Sequence, residues 1–364
     1  MMIVIDNIVF SIQKSGGISI VWYELIKRLI TKESELTFIE YKGTKKNIFG
    51  RKLKLSNCKL LYPKYLVFQL ERYRDLYFHK KGNKRFIFHS SYYRTCLNKK
   101  AINITTVHDF TYEYYFKGLK KVVHCWQKHR AISKADYIIC ISENTKSDLL
   151  KFMPHINENK IKVIYNGVSE EYFPISSKDF QKPLNPFSPY TFVLFVGGRE
   201  NYKNFELTVK AVSKTNFNLI IVGSPLTEKE ISFLNSYMDE SRYCSRIRIS
   251  NAELNNLYNQ AYCLLYPSSY EGFGIPVLES QKSGCPVIAY NRSSIPEIIG
   301  TTPLLIETLT TEAITEKLDL LGDNEERKKI IKEGLENANR FSWDTMSENV
   351  LKLYNNIINT YSLK

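Results

Sequence analysis

The densest chemistry in the sequence lies in Pro267-Ser-Ser-Tyr-Glu-Gly-Phe-Gly-Ile-Pro-Val-Leu-Glu-Ser280, directly after the apolar run Tyr262–Tyr266. Gly272 and Gly274 permit a tight turn, and Pro276 suits the first turn of a helix, where its missing N–H is no loss. A strand therefore ends, a glycine turn follows and a helix begins, with free N–H groups and a dipole end that favour a phosphate. Glu271 falls in the turn and Glu279 in the helix, so two carboxylates approach one ligand from different heights and accept hydrogen bonds from its hydroxyls. A ligand with hydroxyls at both ends and phosphates between them, as in a sugar nucleotide, meets those demands. A bare pair of glutamates at this spacing would more simply cap a helix and sit on its wet face. Strand, Gly-x-Gly and Pro together turn the reading toward a site.

Three further segments carry suitable groups. Gly197-Gly-Arg-Glu-Asn-Tyr-Lys-Asn204 offers Arg199 and Lys203 after another apolar run, and the plainer alternative to a site there is a solvated loop. His108-Asp109 follows Ile102–Val107, at the carboxyl end of a strand, where parallel α/β sheets place ligands. A histidine there is otherwise structural, with Asp109 orienting its ring or capping the next segment. Gly16-Gly17 reads as a weak phosphate loop, since any tight turn uses paired glycines. His79, His89, His124, His129 and His155 show no metal-ligand spacing, so no metal is expected.

These groups need a scaffold, and two successions of apolar runs alternating with amphipathic stretches predict parallel α/β sheets. The first comprises Met2–Phe10, Leu36–Tyr41, Lys59–Tyr62, Phe86–His89, Ile102–Val107 and Tyr137–Ile141. The second comprises Thr191–Val196, Asn218–Val222, Ile247–Ile249, Tyr262–Tyr266, Pro286–Ala289 and Leu304–Ile306. Between them, residues 165–190 hold four of the twelve prolines and read as a connection between domains. A last helix, about Trp343 to Tyr361, repeats apolar residues at three-to-four spacing and needs a surface to cover. The expected domains are 1–170, 171–342 and the helix 343–364.

Composition narrows the class. The 364 residues are 43% hydrophobic and 24% charged, which suits a globular chain of about two domains and excludes disordered or fibrous classes. Seven scattered cysteines without a C-x-x-C argue against a disulfide framework or a zinc ribbon and point to a reducing cytosol. The opening MMIVIDNIVF lacks a basic n-region and reads as a first buried strand, not a signal peptide. The net charge of +14 is concentrated, with 22 Lys and Arg against 4 Asp and Glu between residues 41 and 130. Such a field attracts nucleic acid, an anionic lipid surface or a phosphate-bearing substrate alike. Within it, Lys64–Lys81 interleaves aromatic and basic residues; it suits either a helix on an anionic membrane face or an ordinary helix with one side on the first sheet.

EGFGIPVLE followed by SGCPVIAYNRSSIPEIIG closely resembles the donor-binding signature of the retaining GT-B glycosyltransferases of family 4. The similarity extends in the family's order to FSIQKSGGISIVWYELIKRL, TTVHDFTYEYY, ADYIICISENTKSDL, IYNGV and FVGGRENYKNFELTVKAV. The resemblance implies two Rossmann-like domains facing a central cleft, with the C-terminal helix crossing back to the N-terminal domain. By it, Glu279 holds the ribose hydroxyls, Glu271 contacts the transferred sugar, and Phe273, Gly274 and Ile275 line the donor. Lys203 and Arg199 meet the diphosphate, His108 packs against the donor sugar, and Gly16-Gly17 approaches the diphosphate and acceptor.

It further implies a hexose transfer with retention, from GDP-mannose or a UDP-sugar to a saccharide or polyprenyl-diphosphate-linked acceptor. Surface polysaccharide assembly, such as O-antigen, lipopolysaccharide or capsule, is the pathway by analogy. The donor is a substrate, so neither cofactor nor metal is expected. The setting is the cytoplasm, with peripheral contact at the inner face of the cell membrane. A sugar-nucleotide epimerase of the same fold lacks its cluster of extra acid and base residues here. A nucleic-acid-binding protein lacks a recognisable module beside the charge, so no nucleic acid is expected as a partner. Nothing missing from the motifs suggests a silent sugar-nucleotide binder.

Overall fold

Runs apolar on both sides suit strands buried on both faces of a parallel sheet, and the chain forms two such sheets. The computed structural model describes residues 1–33, 35–56, 58–64, 67–77, 84–180 and 186–362. The first sheet contains β1 (Ile3–Asp6), β2 (Leu36–Ile39), β3 (Lys59–Leu61), β4 (Phe86–Ser90), β5 (Ala101–Val107), β6 (Tyr137–Cys140) and β7 (Ile161–Val163). Its order is β3-β2-β1-β4-β5-β6-β7, with Ile3 of β1 opposite Leu36 on one side and Ile87 on the other. The second contains β8 (Phe192–Val196), β9 (Asn218–Val222), β10 (Tyr243–Arg246), β11 (Cys263–Tyr266), β12 (Val287–Tyr290) and β13 (Leu305–Ile306), in the order β10-β9-β8-β11-β12-β13. Each order reverses direction beside its first strand, between β1 and β4 and between β8 and β11. Loops leaving the carboxyl ends of strands at such a reversal diverge and leave room for a ligand.

The first expected run, Met2–Phe10, divides after Asp6, and Val9–Ile12 forms a helical turn. The run Ile247–Ile249 is not a strand. β10 lies just upstream, its Arg246 carbonyl accepts from Gly223 N at 3.1 Å, and Arg248 then adopts a φ of 54° that turns the chain away. β7 has only three residues, too few to show a pattern. In the stretch Lys64–Lys81, positions 65, 66 and 78–81 lie outside the described residues, as does His79. The rest forms one helical turn, Phe68–Glu71, and a bridge from Leu76 to Cys96. Glu71 is buried on Arg94 at 3.1 Å, so this part is not a continuous surface helix.

The chain divides into two units, Met1–Gly167 with Trp343–Lys364, and Val168–Ser342. In the first, the final helix (Trp343–Ser362) packs on the helix Gly17–Lys32. Its Tyr354 hydroxyl lies 2.6 Å from His89 Nδ1, and Arg28 reaches Asp344 at 2.6 Å. In the second, Val168 bridges to Ser342. The start of the proline-rich stretch is packed instead of free: Tyr172 is buried, and the amides of Phe173 and Ile175 donate to Asn255 and Asn259. No helix among the described residues is long and apolar enough to cross a membrane.

Candidate active site

The loops after β8 and β11, on either side of the reversal in the second sheet, are sewn together by short polar contacts. Asn204, in the left-handed conformation at φ 53°, donates from Nδ2 to the Pro267 carbonyl at 2.7 Å and to Ser269 Oγ at 2.8 Å. Ser269 N donates to the Tyr202 carbonyl at 2.7 Å. This stitching brings Lys203 Nζ to 2.5 Å from Glu271 Oε1 in a pair largely withdrawn from solvent. The Tyr266 hydroxyl also bonds to Glu271, and the Tyr202 and Tyr266 rings lie 5.2 and 5.7 Å from the ammonium.

A second set of contacts shapes the glycine turn. Glu271 N donates to Ser293 Oγ at 2.9 Å, and the Ser294 hydroxyl lies 2.9 Å from the carbonyl oxygens of both Glu271 and Phe273. Ser293 holds this place at a strained φ of 54°. Gly274 caps the helix Ile275–Lys282 at φ +106°, which a side chain rarely adopts. Phe273 contributes only backbone to the turn, since its buried ring packs edge-on against Phe341 at 5.9 Å.

Glu279, further along that helix, is buried beside two tyrosines. The Tyr258 hydroxyl donates to Glu279 Oε2 at 3.3 Å, and the Tyr172 hydroxyl bonds the same carboxylate. Burial, only partly offset by these hydrogen bonds, pushes its carboxyl up to about 7. It can therefore be charged or neutral near neutral pH, according to what donates to it.

Arg199, expected at the diphosphate, is engaged within the protein. Its Nε and Nη2 grip Glu230 at 2.6 and 3.2 Å, and its Nη1 and Nη2 donate to the carbonyls of Ser224 and Pro225 at 3.1 and 2.8 Å. All three guanidinium nitrogens are engaged, so the side chain ties the loop after β8 to the helix Glu228–Asn235 instead of presenting a free fork. Glu230 is held down to about 2, first by Arg199.

The remaining predicted residues lie in the first unit. Gly16 and Gly17 are exposed at the start of the helix Gly17–Lys32, whose first turn has no acidic residue and no side-chain cap. His108 is buried just after β5, and burial lowers its imidazole to about 4, against the opposing pull of Asp109. It is thus a neutral hydrogen-bonding group, not a cation. Asp109 takes the capping alternative, accepting from Thr111 N at 3.0 Å.

Residues 15–172 match the family described as Glycosyltransferase Family 4, and residues 176–337 match Glycosyl transferases group 1. The chain belongs to this glycosyltransferase family. The O-antigen chain mannosyltransferase B of Escherichia coli is 26% identical over 313 residues, 81% of this chain and 78% of that one. The O-antigen chain mannosyltransferase RfbU of Salmonella typhimurium is 28% identical over 65% of this chain, which spans 61% of it. Among solved structures, the sucrose-phosphate synthase of Thermosynechococcus elongatus shares the GT-B fold with a TM-score of 0.75 at 16% identity, over 99% of this chain and 100% of that one.

In this glycosyltransferase, sequence reasoning missed the residues that build the site from a distance. Ser293 and Ser294 stand inside the SGCPVIAYNRSSIPEIIG segment, yet nothing local marks them as clamps on a turn some twenty residues earlier. Tyr172 and Tyr258 carried no signal, being ordinary aromatics in a connection and a helix. Asn204 was legible in principle, as a left-handed residue before a helix is often asparagine.

Proposed function

We propose that this glycosyltransferase moves a hexose, with retention, from a nucleotide-diphosphate sugar to a saccharide or lipid-linked saccharide acceptor. The observation that carries this is the Lys203–Glu271 pair at the glycine-broken start of the helix that bears Glu279. Lys203 meets the diphosphate, Glu271 a hydroxyl of the transferred sugar, and Glu279 the ribose. The backbone from Phe273 to Ile275 lines the donor, and Arg199 acts by holding the loop. In the first unit, His108 offers a neutral imidazole to a sugar hydroxyl, while Gly16 and Gly17 leave room for the acceptor.

Departure of the nucleoside diphosphate and attack by the acceptor hydroxyl take place on one face of the sugar, through an oxocarbenium-like state, with the leaving phosphate taking the acceptor's proton. No enzymatic nucleophile is needed. The two relatives named as mannosyltransferases favour a mannosyl donor, which we take to be GDP-mannose, with a UDP-sugar the alternative. The product belongs to a bacterial surface polysaccharide, and a polyprenyl-diphosphate acceptor would bring the chain to the cytoplasmic face of an anionic membrane.

A panel of GDP-, UDP- and dTDP-sugars tests this by thermal stabilisation and then by transfer. GDP-mannose is expected to stabilise the chain and to yield an α-linked product from its α-linked donor. Absence of stabilisation by every donor overturns the site, and an inverted anomer in the product's NMR spectrum overturns retention.

A further inference from the structure

The helix Gly118–Lys134 is inverted over its first half. Its buried positions, Gln127, Lys128, Ala131 and Ile132, lie toward its C-terminal end, whereas Leu119, Val122 and Trp126 are 78%, 61% and 52% exposed. At 100° per residue these three fall within roughly 60° of one another, along about 10 Å of helix axis. The inversion is locked by the fold. Buried Lys128 donates to Glu113 Oε2 at 2.7 Å and to the Asp109 carbonyl at 2.8 Å, and its ammonium stands 4.3 Å from the centre of the Phe110 ring. With that side held inward, Leu119, Val122 and Trp126 lie on the outward side, where the Arg130 guanidinium stands 4.6 Å from the centre of the Trp126 ring.

The surroundings of the stripe are cationic. The helix contains no acidic residue, and exposed Lys117 and Lys120 make no ion pair among the described residues. Among the described residues, eleven of the sixteen exposed large apolar side chains belong to the first unit, so the apolar exposure and the basic field share one unit.

We propose that this stripe docks on an anionic lipid bilayer, with Leu119, Val122 and Trp126 entering the acyl boundary and Lys117 and Lys120 meeting lipid phosphates. Three side chains fall well short of the roughly 800 Å² per partner of a stable protein interface. A bilayer asks only for a shallow apolar insertion ringed by cations. The inference deepens the membrane contact proposed above and rests on that reading.

Of the three tryptophans, Trp22 and Trp343 are buried, so a change of emission on adding vesicles reports Trp126. The full chain is mixed with phosphatidylcholine vesicles with and without phosphatidylglycerol, and emission and co-sedimentation are followed. With phosphatidylglycerol, emission is expected to move to shorter wavelength and the chain to sediment; without it, binding falls at least ~10-fold. Leu119→Glu with Val122→Glu abolishes both signals, and Lys117→Gln with Lys120→Gln lowers binding roughly 10- to 30-fold. Both variants keep the two calorimetric transitions of the wild type and its stabilisation by nucleoside diphosphate, which shows that both units fold and that the donor site is separate.

Wild-type chain that neither sediments nor shifts overturns the proposal, as does undiminished binding by the Leu119→Glu, Val122→Glu variant. A lipid-free dimer that this variant makes monomeric also overturns it, by assigning the stripe to a second copy. Vesicle binding without any nucleotide stabilisation would instead count against the transferase reading alone.

Discussion

Lys203 and Glu271 share one largely buried ion pair, so an anion that Lys203 is to grip must compete with that carboxylate or join it. Glu271→Gln removes the competing charge and, in the proposed donor pose, weakens a sugar contact. Nucleoside diphosphate affinity is therefore expected to rise several-fold while transfer falls by about 10²-fold; titration calorimetry and initial rates check this, and unchanged values for both would break the assignment. Glu279 gives a pH signature. Its carboxyl is raised from the usual 4.5 to about 7 by burial, so the stability it contributes is complete below about pH 4.5 and is lost as pH climbs through about 7. Ribose hydroxyls donate best to the ionised form, so nucleotide affinity should rise over the same window. Glu279→Gln should flatten that rise relative to wild type, a comparison in which the ligand's own phosphate titration cancels. The two glutamates were legible because their glycine and proline setting is local. The engagement of Arg199 was not, since its partner Glu230 lies 31 positions away and a side-chain type does not announce which charge it will meet.

Among the elements, the helix Ile275–Lys282 depends most on one backbone position. Gly274 has φ +106°, and a Cβ there would stand 2.9 Å from Ile295 Cδ1. The isoleucine tip can move, but the backbone strain remains. Gly274→Ala is expected to cost about 1–2 kcal/mol of stability and to misalign the amides from Phe273 to Ile275, weakening donor binding as well. Chemical denaturation with and without nucleotide measures both effects, and a variant matching wild type in each would remove this turn from the site. Most strands were legible because continuous apolar runs between turn signals leave little alternative in a parallel sheet. The failure at Ile247–Ile249 is of another kind: alternating isoleucine and arginine looks like a strand edge, but Arg248 turns the chain there, and no pattern in residue type reveals a single positive φ.

For the whole molecule, chain order and spatial grouping part company at the last helix. Its apolar spacing was legible, but the surface it covers was not, because that surface is built far earlier in the chain, by the helix Gly17–Lys32, whose Arg28 lies 316 positions before Asp344, and by His89, 265 positions before Tyr354. The final helix buries Trp343, Met346, Val350, Leu351, Leu353, Tyr354 and Ile357. At about 1.5–3 kcal/mol for each buried apolar side chain, an upper bound relative to a real unfolded chain, the loss on truncation approaches or exceeds the 5–15 kcal/mol that usually holds a domain. A chain ending at Ser342 should therefore lose the cooperative unfolding of the first unit. The second unit, Val168–Ser342, keeps both of its switch-point loops, the Lys203–Glu271 pair and the tyrosines around Glu279. In calorimetry the truncated chain is expected to show one transition, still raised by nucleoside diphosphate, and no transfer activity. Two intact transitions would mean that the helix adds little to the first unit, whereas one transition insensitive to nucleotide would mean that the second unit does not hold the donor by itself.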